Sequence, residues 1–238
     1  MRVSLPHIVP PEQLDQIGRL AANMVRDHDR VGLGSGRAAL AFVRALGRRV
    51  QDEKLQVVGV ATSLLTEQVA RECGVPLASL EVTEALDLAV DGADEVDPLL
   101  NLTKGGGGNL TREKVVASIA KRLVILVGEE KIVEHLGTNF PVFVEVIEFA
   151  RPTVTRKITA MGGIVTPRLN PDKTLFLTDN NNPYLHCRFG PPPHYLHDPA
   201  ALEQVLGMIP GVVETGLFIN MTDELIIARF DGTIERRS

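Results

Sequence analysis

The chain has 238 residues, 44% of them hydrophobic, with 30 acidic against 25 basic side chains. That length can bury one large core or two small ones, and a net charge of -5 excludes the broad basic face that nucleic acid or an anionic membrane surface requires. Any anionic ligand must therefore be met by a local cluster of donors. Two cysteines, Cys73 and Cys187, are too few for a zinc ligand set and fit the reduced thiols of a cytoplasmic protein. No apolar stretch approaches the roughly 18 residues of a spanning helix, and the first residues lack the charged-then-apolar pattern of a secretory leader.

Residues 11–28 open on Pro11 and carry Leu14, Ile17, Ala21, Met24 and Val25 at helical spacing, the stripe of an amphipathic helix. A short apolar run over 31–33 meets Gly34-Ser35-Gly36, and helical spacing resumes over 38–50. The alternation repeats: strand 55–61, helix 63–73, strand 86–90, helix 112–121, strand 123–127. Such a β-α succession predicts a mainly parallel sheet with helices on its faces. Beyond Gly137 the pattern becomes strand 142–147, helix 153–161, strands 164–169, 174–178 and 185–189, helix 200–208 and strand 212–217, with a last strand over 224–230. The expected architecture is α/β: a doubly wound, Rossmann-like domain (1–137 and 215–238) with a smaller inserted α+β, ferredoxin-like domain (138–214) expected to carry the oligomer contacts.

Four segments fall at carboxyl ends of expected strands, where open α/β sheets bind ligands. Gly32-Leu33-Gly34-Ser35-Gly36-Arg37 begins like a dinucleotide fingerprint, but Arg37 stands where a third glycine belongs and no Gly-Lys-Ser/Thr follows. A donor cradle for an anion and a ligandless tight turn both remain open there. Thr62, Ser63 and Thr66 read equally as a helix cap or as hydroxyl contacts. In 91–97 (DGADEVD) four carboxylates in seven residues repel one another unless they cap a helix, bind a cation or do proton chemistry, and the spacing fails the calcium-loop pattern. Finally, Lys104 precedes four glycines, Gly105, Gly106, Gly107 and Gly108, and then Thr111, Arg112, Glu113 and Lys114. Ordering four glycines forfeits backbone entropy, which close approach of N–H groups to a ligand would justify. These pieces predict a pocket for a small phosphorylated molecule and a carboxylate base, favouring proton transfer over hydride or phosphoryl transfer.

With these motifs together, the chain resembles the ribose-5-phosphate isomerase A family. The likeness runs through residues 31–36 (VGLGSG), 61–63 (ATS), 91–97, 104–114, Lys131, 144–147 (VEVI), 178–180 (TDN), 211–213 (GVV) and 216–218 (GLF). The resemblance implies a metal- and cofactor-independent isomerase of the pentose phosphate pathway, a homodimer or dimer of dimers with a phosphorylated sugar as its partner. By the same resemblance Glu113 is the general base working through an enediolate. Asp91, Asp94 and Lys104 bind the sugar and assist ring opening, beside Gly92 and Ala93. The N–H groups of Gly105, Gly106 and Gly107 stabilise the oxyanion, and Ser35, Gly36, Arg37 and Ala38 with Lys131 hold the phosphate.

The family commonly reads Gly-Thr-Gly-Ser-Thr in the first loop, whereas here Ser35 replaces the first threonine and Arg37-Ala38 the Ser-Thr pair. Arg37 offers a charge-assisted contact in place of two hydroxyls. The first helix has Leu14 and Asp15 where some members carry a basic residue. A sugar-phosphate sensor and a coenzyme A transferase are the competing readings. Lys104, Glu113 and Asp94 together favour the isomerase, since a sensor has no use for a proton-transfer set. His186, His194 and His197 are read as structural.

Overall fold

A computed structural model describes residues 8–190 and 196–238. In chain order the elements are α1 (Pro11–Ala22), β1 (Arg30–Leu33), α2 (Gly36–Asp52), β2 (Val58–Ala61), α3 (Leu64–Glu72), β3 (Leu88–Asp91), β4 (Glu95–Val96), β5 (Leu102–Thr103), α4 (Leu110–Ser118), β6 (Leu123–Gly128), β7 (Val142–Val146), α5 (Arg151–Ala160), β8 (Ile164–Pro167), β9 (Tyr184–Arg188), α6 (Pro199–Gly207), β10 (Val212–Thr215), β11 (Leu217–Phe218), β12 (Glu224–Ala228) and β13 (Ile234–Arg237). Contacts group these into two units: the chain up to Gly92 with Val116–Ile132 and everything from Thr222 on, and Ala93–Val115 with Val133–Met221. The segment 93–115, expected with the first domain, groups with the second, because β4 and β5 pair with β11 in a three-stranded sheet.

The first unit is built on a six-stranded sheet in the order β13-β12-β6-β3-β1-β2. Every pairing is parallel except that of β12 with the edge strand β13. β6 (LVILVG) is buried along its whole length, the unbroken apolar run of a strand covered on both faces. The chain steps from β1 outward to β2 and then back to β3 on the other side of β1, which makes the carboxyl ends of β1 and β3 a topological switch point. α2 turns Phe42, Val43, Ala45 and Leu46 into a core with Leu14, Ile17 and Ala21 of α1. The first helix stops at Ala22, short of 28: Asn23 caps it through its N–H to Arg19, Arg26 N–H bonds the Asp29 carboxylate, and His28 takes a left-handed φ of 67°.

The second unit carries a four-stranded antiparallel sheet, β10-β7-β9-β8, whose apolar side chains Val142, Val144, Leu185 and Cys187 pack with Val154 and Ile158 of α5 and Leu206 of α6. The strand expected over 174–178 is absent. Thr174 instead closes a turn through its N–H and hydroxyl to Asp172, leaving only isolated bridges at Leu175 and Leu177. The strand expected over 212–217 breaks at Gly216, where a Cβ would overlap the Lys104 carbonyl oxygen. That break separates β11, which pairs with β5, from β10, which pairs with β7. Among the described residues no helix is long and apolar enough to cross a membrane.

Candidate active site

In the first unit the strand ends bring three of the flagged segments together: the first glycine turn, the 62–66 hydroxyls and Asp91-Gly92 of the heptapeptide. The Ser35 N–H donates to Asp91 Oδ1 at 2.9 Å, and the same oxygen accepts the Gly92 N–H at 2.7 Å. Gly34 is required by this approach: a Cβ there would overlap the Asp91 carboxylate and lie 2.5 Å from the Val90 carbonyl oxygen. The Ser35 hydroxyl sits 2.7 Å from that of Thr62 and 2.9 Å from that of Ser63. Thr66 donates its hydroxyl to the Gly34 carbonyl and its N–H to Ser63 Oγ, so Ser63 is the helix cap of α3. α2 opens on Ser35, whose side chain makes no capping bond to the helix, so its first-turn N–H groups are left to another acceptor. Arg37, with 62% of its side chain exposed, stands 4.0 Å from Glu130, next to Lys131 in the turn after β6.

The acidic heptapeptide solves its own repulsion in a way the sequence reading did not include: each carboxylate holds backbone N–H groups. Asp91 holds Ser35 and Gly92, while Asp94 accepts the Gly106 N–H at 2.7 Å. Buried Glu95 accepts the N–H groups of Gly137, Asn139 and Phe140 and the Thr103 hydroxyl. Asp97 accepts those of Leu99 and Asn101 and the Asn101 side-chain amide. Charge-assisted bonds of this kind offset the cost of burying carboxylates.

In the second unit, Lys104 and Glu113 are both buried, with Lys104 Nζ 3.4 Å from Glu113 Oε2. The Lys104 ammonium also lies 5.4 Å from the centre of the buried Phe218 ring, an apolar floor that holds the cation beside the carboxylate. α4 presents Glu113 in its first turn, and the start of that helix is tied down by its neighbours. The Thr111 hydroxyl donates to Glu145 at 2.7 Å, and Arg112 reaches Asn180 Oδ1 and the Asp179 carbonyl oxygen. Glu145 is itself fully buried and further bonded by Thr178, Asn180 and Asn182, so the TDN segment is the brace of the helix that carries Glu113.

The glycine run is ordered by clamps. The Gly105 carbonyl oxygen accepts the Tyr184 hydroxyl at 2.7 Å and the Gly108 N–H at 2.8 Å. Arg168 Nη1 donates to the Gly106 carbonyl oxygen at 3.1 Å. Gly105 has φ +117° and no room for a Cβ against Tyr184, so both sterics and backbone conformation demand glycine. Tyr184 is buried, and burial together with the charges of Glu113, Asp94 and Glu145 pushes its phenol well above the usual tyrosine range. It is therefore a donor at any working pH. Arg168 and Tyr184 escaped the sequence reading, and Phe218 entered it only within the likeness over 216–218, with no role assigned. The one usable signal was that a buried tyrosine, in a chain with only two, needs a hydrogen-bond partner.

His186 packs edge-on to Phe143, with ring centres 5.0 Å apart, and burial, aided by Arg168 and Arg188, holds its pKa below the usual histidine value. His194 lies outside the described residues. Among those described, no group of three or more metal-ligating side chains converges.

The first unit is thus a doubly wound sheet with an uncapped helix start at its strand ends, and the second holds a buried carboxylate–ammonium pair and clamped glycines, features of a metabolic α/β enzyme. The sequence profile of ribose 5-phosphate isomerase A (phosphoriboisomerase A) matches residues 58–232. Ribose-5-phosphate isomerase A of Roseiflexus castenholzii is 44% identical over 90% of this chain and 91% of its own. That of Thermosynechococcus vestitus is 42% identical over 93% and 94%. Among solved structures, ribose 5-phosphate isomerase A from Methanocaldococcus jannaschii superimposes with a TM-score of 0.89 at 36% identity, covering 95% of this chain and 98% of that one. A D-ribose-5-phosphate isomerase in complex with phospho-erythronic acid gives 0.90 at 33%, covering 97% and 100%. The chain belongs to the ribose-5-phosphate isomerase A family, and is an isomerase.

Proposed function

We propose that this protein interconverts ribose 5-phosphate and ribulose 5-phosphate by proton transfer through an enediolate, without a metal or cofactor, in the non-oxidative pentose phosphate pathway. The observation that carries the reading is the buried Lys104–Glu113 pair at 3.4 Å in the unit that holds the clamped glycines. The Glu113 carboxylate removes the proton from carbon 2 of the open-chain aldose. The C–H electron pair becomes the carbon 1–carbon 2 double bond, and the carbonyl π pair moves onto oxygen 1. Lys104 and the N–H groups of Gly105 and Gly107 stabilise that oxygen, whereas the Gly106 N–H, expected there too, is taken by Asp94. Glu113 then returns the proton to carbon 1, where the carbon 1–carbon 2 π pair forms the new C–H bond, while the proton of the hydroxyl on carbon 2 passes to oxygen 1 and the oxygen 2 pair left behind closes the ketone.

Asp91 and Asp94, each already holding a loop N–H, are assigned with Gly92 and Ala93 to the sugar hydroxyls and to ring opening. Residues 35–38 and Lys131 are assigned to the phosphate. Support comes from the uncapped start of α2, from open space around Gly36 at φ +86°, and from the exposed Arg37 guanidinium beside the turn that carries Lys131. The name of the relative bound to phospho-erythronic acid, a phosphorylated sugar acid, supports the substrate class. Neither Cys73 nor Cys187 is in a disulfide, which fits a cytoplasmic setting. Phe149 and Met208 of the second unit, 95% and 82% exposed, fit oligomer contacts covered by a second copy. The test is a direct assay of ribose 5-phosphate with no metal added and a chelator present. Ribulose 5-phosphate is the expected product, and no conversion would overturn the reading.

A further inference from the structure

We propose that Tyr184 and Arg168 are positioning residues that hold the glycine run so that the Gly107 N–H meets the oxyanion of the reaction, the Gly106 N–H being held by Asp94. The inference rests on the isomerase reading above. In a trans peptide the C=O of one residue and the N–H of the next point in opposite directions within one rigid plane. Fixing a carbonyl therefore fixes the donor behind it. The 105–106 peptide is gripped at both ends: its carbonyl oxygen accepts the Tyr184 hydroxyl at 2.7 Å, and its N–H donates to Asp94 at 2.7 Å. The 106–107 peptide is gripped at its carbonyl by Arg168 at 3.1 Å. Its N–H, on Gly107, consequently points away from the guanidinium at an exposed residue of the loop.

Neither clamp is a passing surface contact. Tyr184 is fully buried, and its phenol is held protonated. The Arg168 guanidinium lies 3.9 Å from the centre of the Phe176 ring and 5.9 Å from that of Tyr184. The Arg168 main chain is bonded to Tyr184 and to Phe176 on its two sides, at 2.8 and 3.0 Å. Phe176 in turn fills the space where a side chain on Gly108 would stand. A cationic donor on the Gly106 carbonyl also polarises that peptide, which strengthens its N–H as a donor. Four glycines have every freedom to aim their N–H groups elsewhere, so the clamps supply the preorganisation that the loop's own sequence lacks.

The test compares Tyr184→Phe, Arg168→Gln and Arg168→Lys with the natural protein. It uses kcat and KM for ribose 5-phosphate, inhibition by phospho-erythronic acid, whose carboxylate imitates the enediolate charge, and thermal unfolding. Tyr184→Phe and Arg168→Gln are each expected to lower kcat and weaken the inhibitor about 10-fold, less than the roughly 100-fold cost of deleting a direct oxyanion donor. KM should stay within about twofold, and Arg168→Lys should recover most of the loss, because these clamps act on the charge that develops during reaction. A purely structural role would lower the unfolding temperature and leave kcat and the inhibitor constant of the folded fraction unchanged, which would overturn the inference. If the natural protein itself fails to convert ribose 5-phosphate, the isomerase reading has failed; if it converts and the variants match it, only the clamp inference has.

Discussion

The molecule contains two glycine loops, each anchored by an aspartate of the same heptapeptide, and they are built on different principles. The turn after β1 is held from below: Asp91 takes the Ser35 N–H, and the hydroxyls of Thr62 and Ser63 surround Ser35. Its donors come with the helix that follows, since the first turn of any helix leaves N–H groups without partners. The run from Gly105 to Gly108 has no such ready source. Its peptides are held in place by Asp94, Tyr184 and Arg168 from three separate stretches of chain. A helix start suits a phosphate, whose charge is permanent and whose position is tolerant. A clamped peptide suits an oxyanion that exists only briefly and must be met at one point.

The largest effects should come from filling the glycine positions. Gly34→Ala puts a methyl group onto the Asp91 carboxylate and the Val90 carbonyl oxygen, neither of which can yield, and should cost roughly 3 kcal/mol or more in denaturant unfolding. Gly105→Ala should cost a similar amount, with φ +117° adding strain. Its main obstacle, however, is the Tyr184 hydroxyl, so the double variant Gly105→Ala/Tyr184→Phe should regain part of the lost stability. A double variant no more stable than the single one would show that the two loops are limited by backbone alike.

Next in size, Arg37→Ala should raise KM for ribose 5-phosphate about 10-fold with kcat nearly constant, the scale of one exposed charge-assisted bond. An unchanged KM would remove Arg37 from the phosphate and leave α2's first turn as the sole donor set of its loop. The smallest effect is expected from Ser63→Ala, which deletes the α3 cap and one neighbour of Ser35. About 1 kcal/mol of stability should be lost, measured by thermal unfolding, with kcat preserved; a loss of kcat instead would place the hydroxyl cluster in the chemistry.

What could be read from the sequence follows from which interactions are local. The β-α alternation, the Ser63 cap and the placement of Ser35, Asp91 and Lys104 in strand-end segments all depend on neighbours a few residues apart. The β4–β5–β11 sheet joins residues more than a hundred positions apart through two-residue strands, too short to show any alternation. Tyr184 and Arg168 meet the glycine loop across 79 and 62 positions, and nothing in the spelling of either segment reports the other. The carboxylates of 91–97 looked like a candidate charge site because most of their backbone partners, from Ser35 to Phe140, lie outside the segment, Gly92 being the exception.

The central claim is that Glu113 moves the proton, and Glu113→Gln tests it most directly because the amide keeps the shape and removes the base. Turnover of ribose 5-phosphate should fall by at least ~100-fold while KM changes little. A kcat close to that of the natural protein would contradict the account.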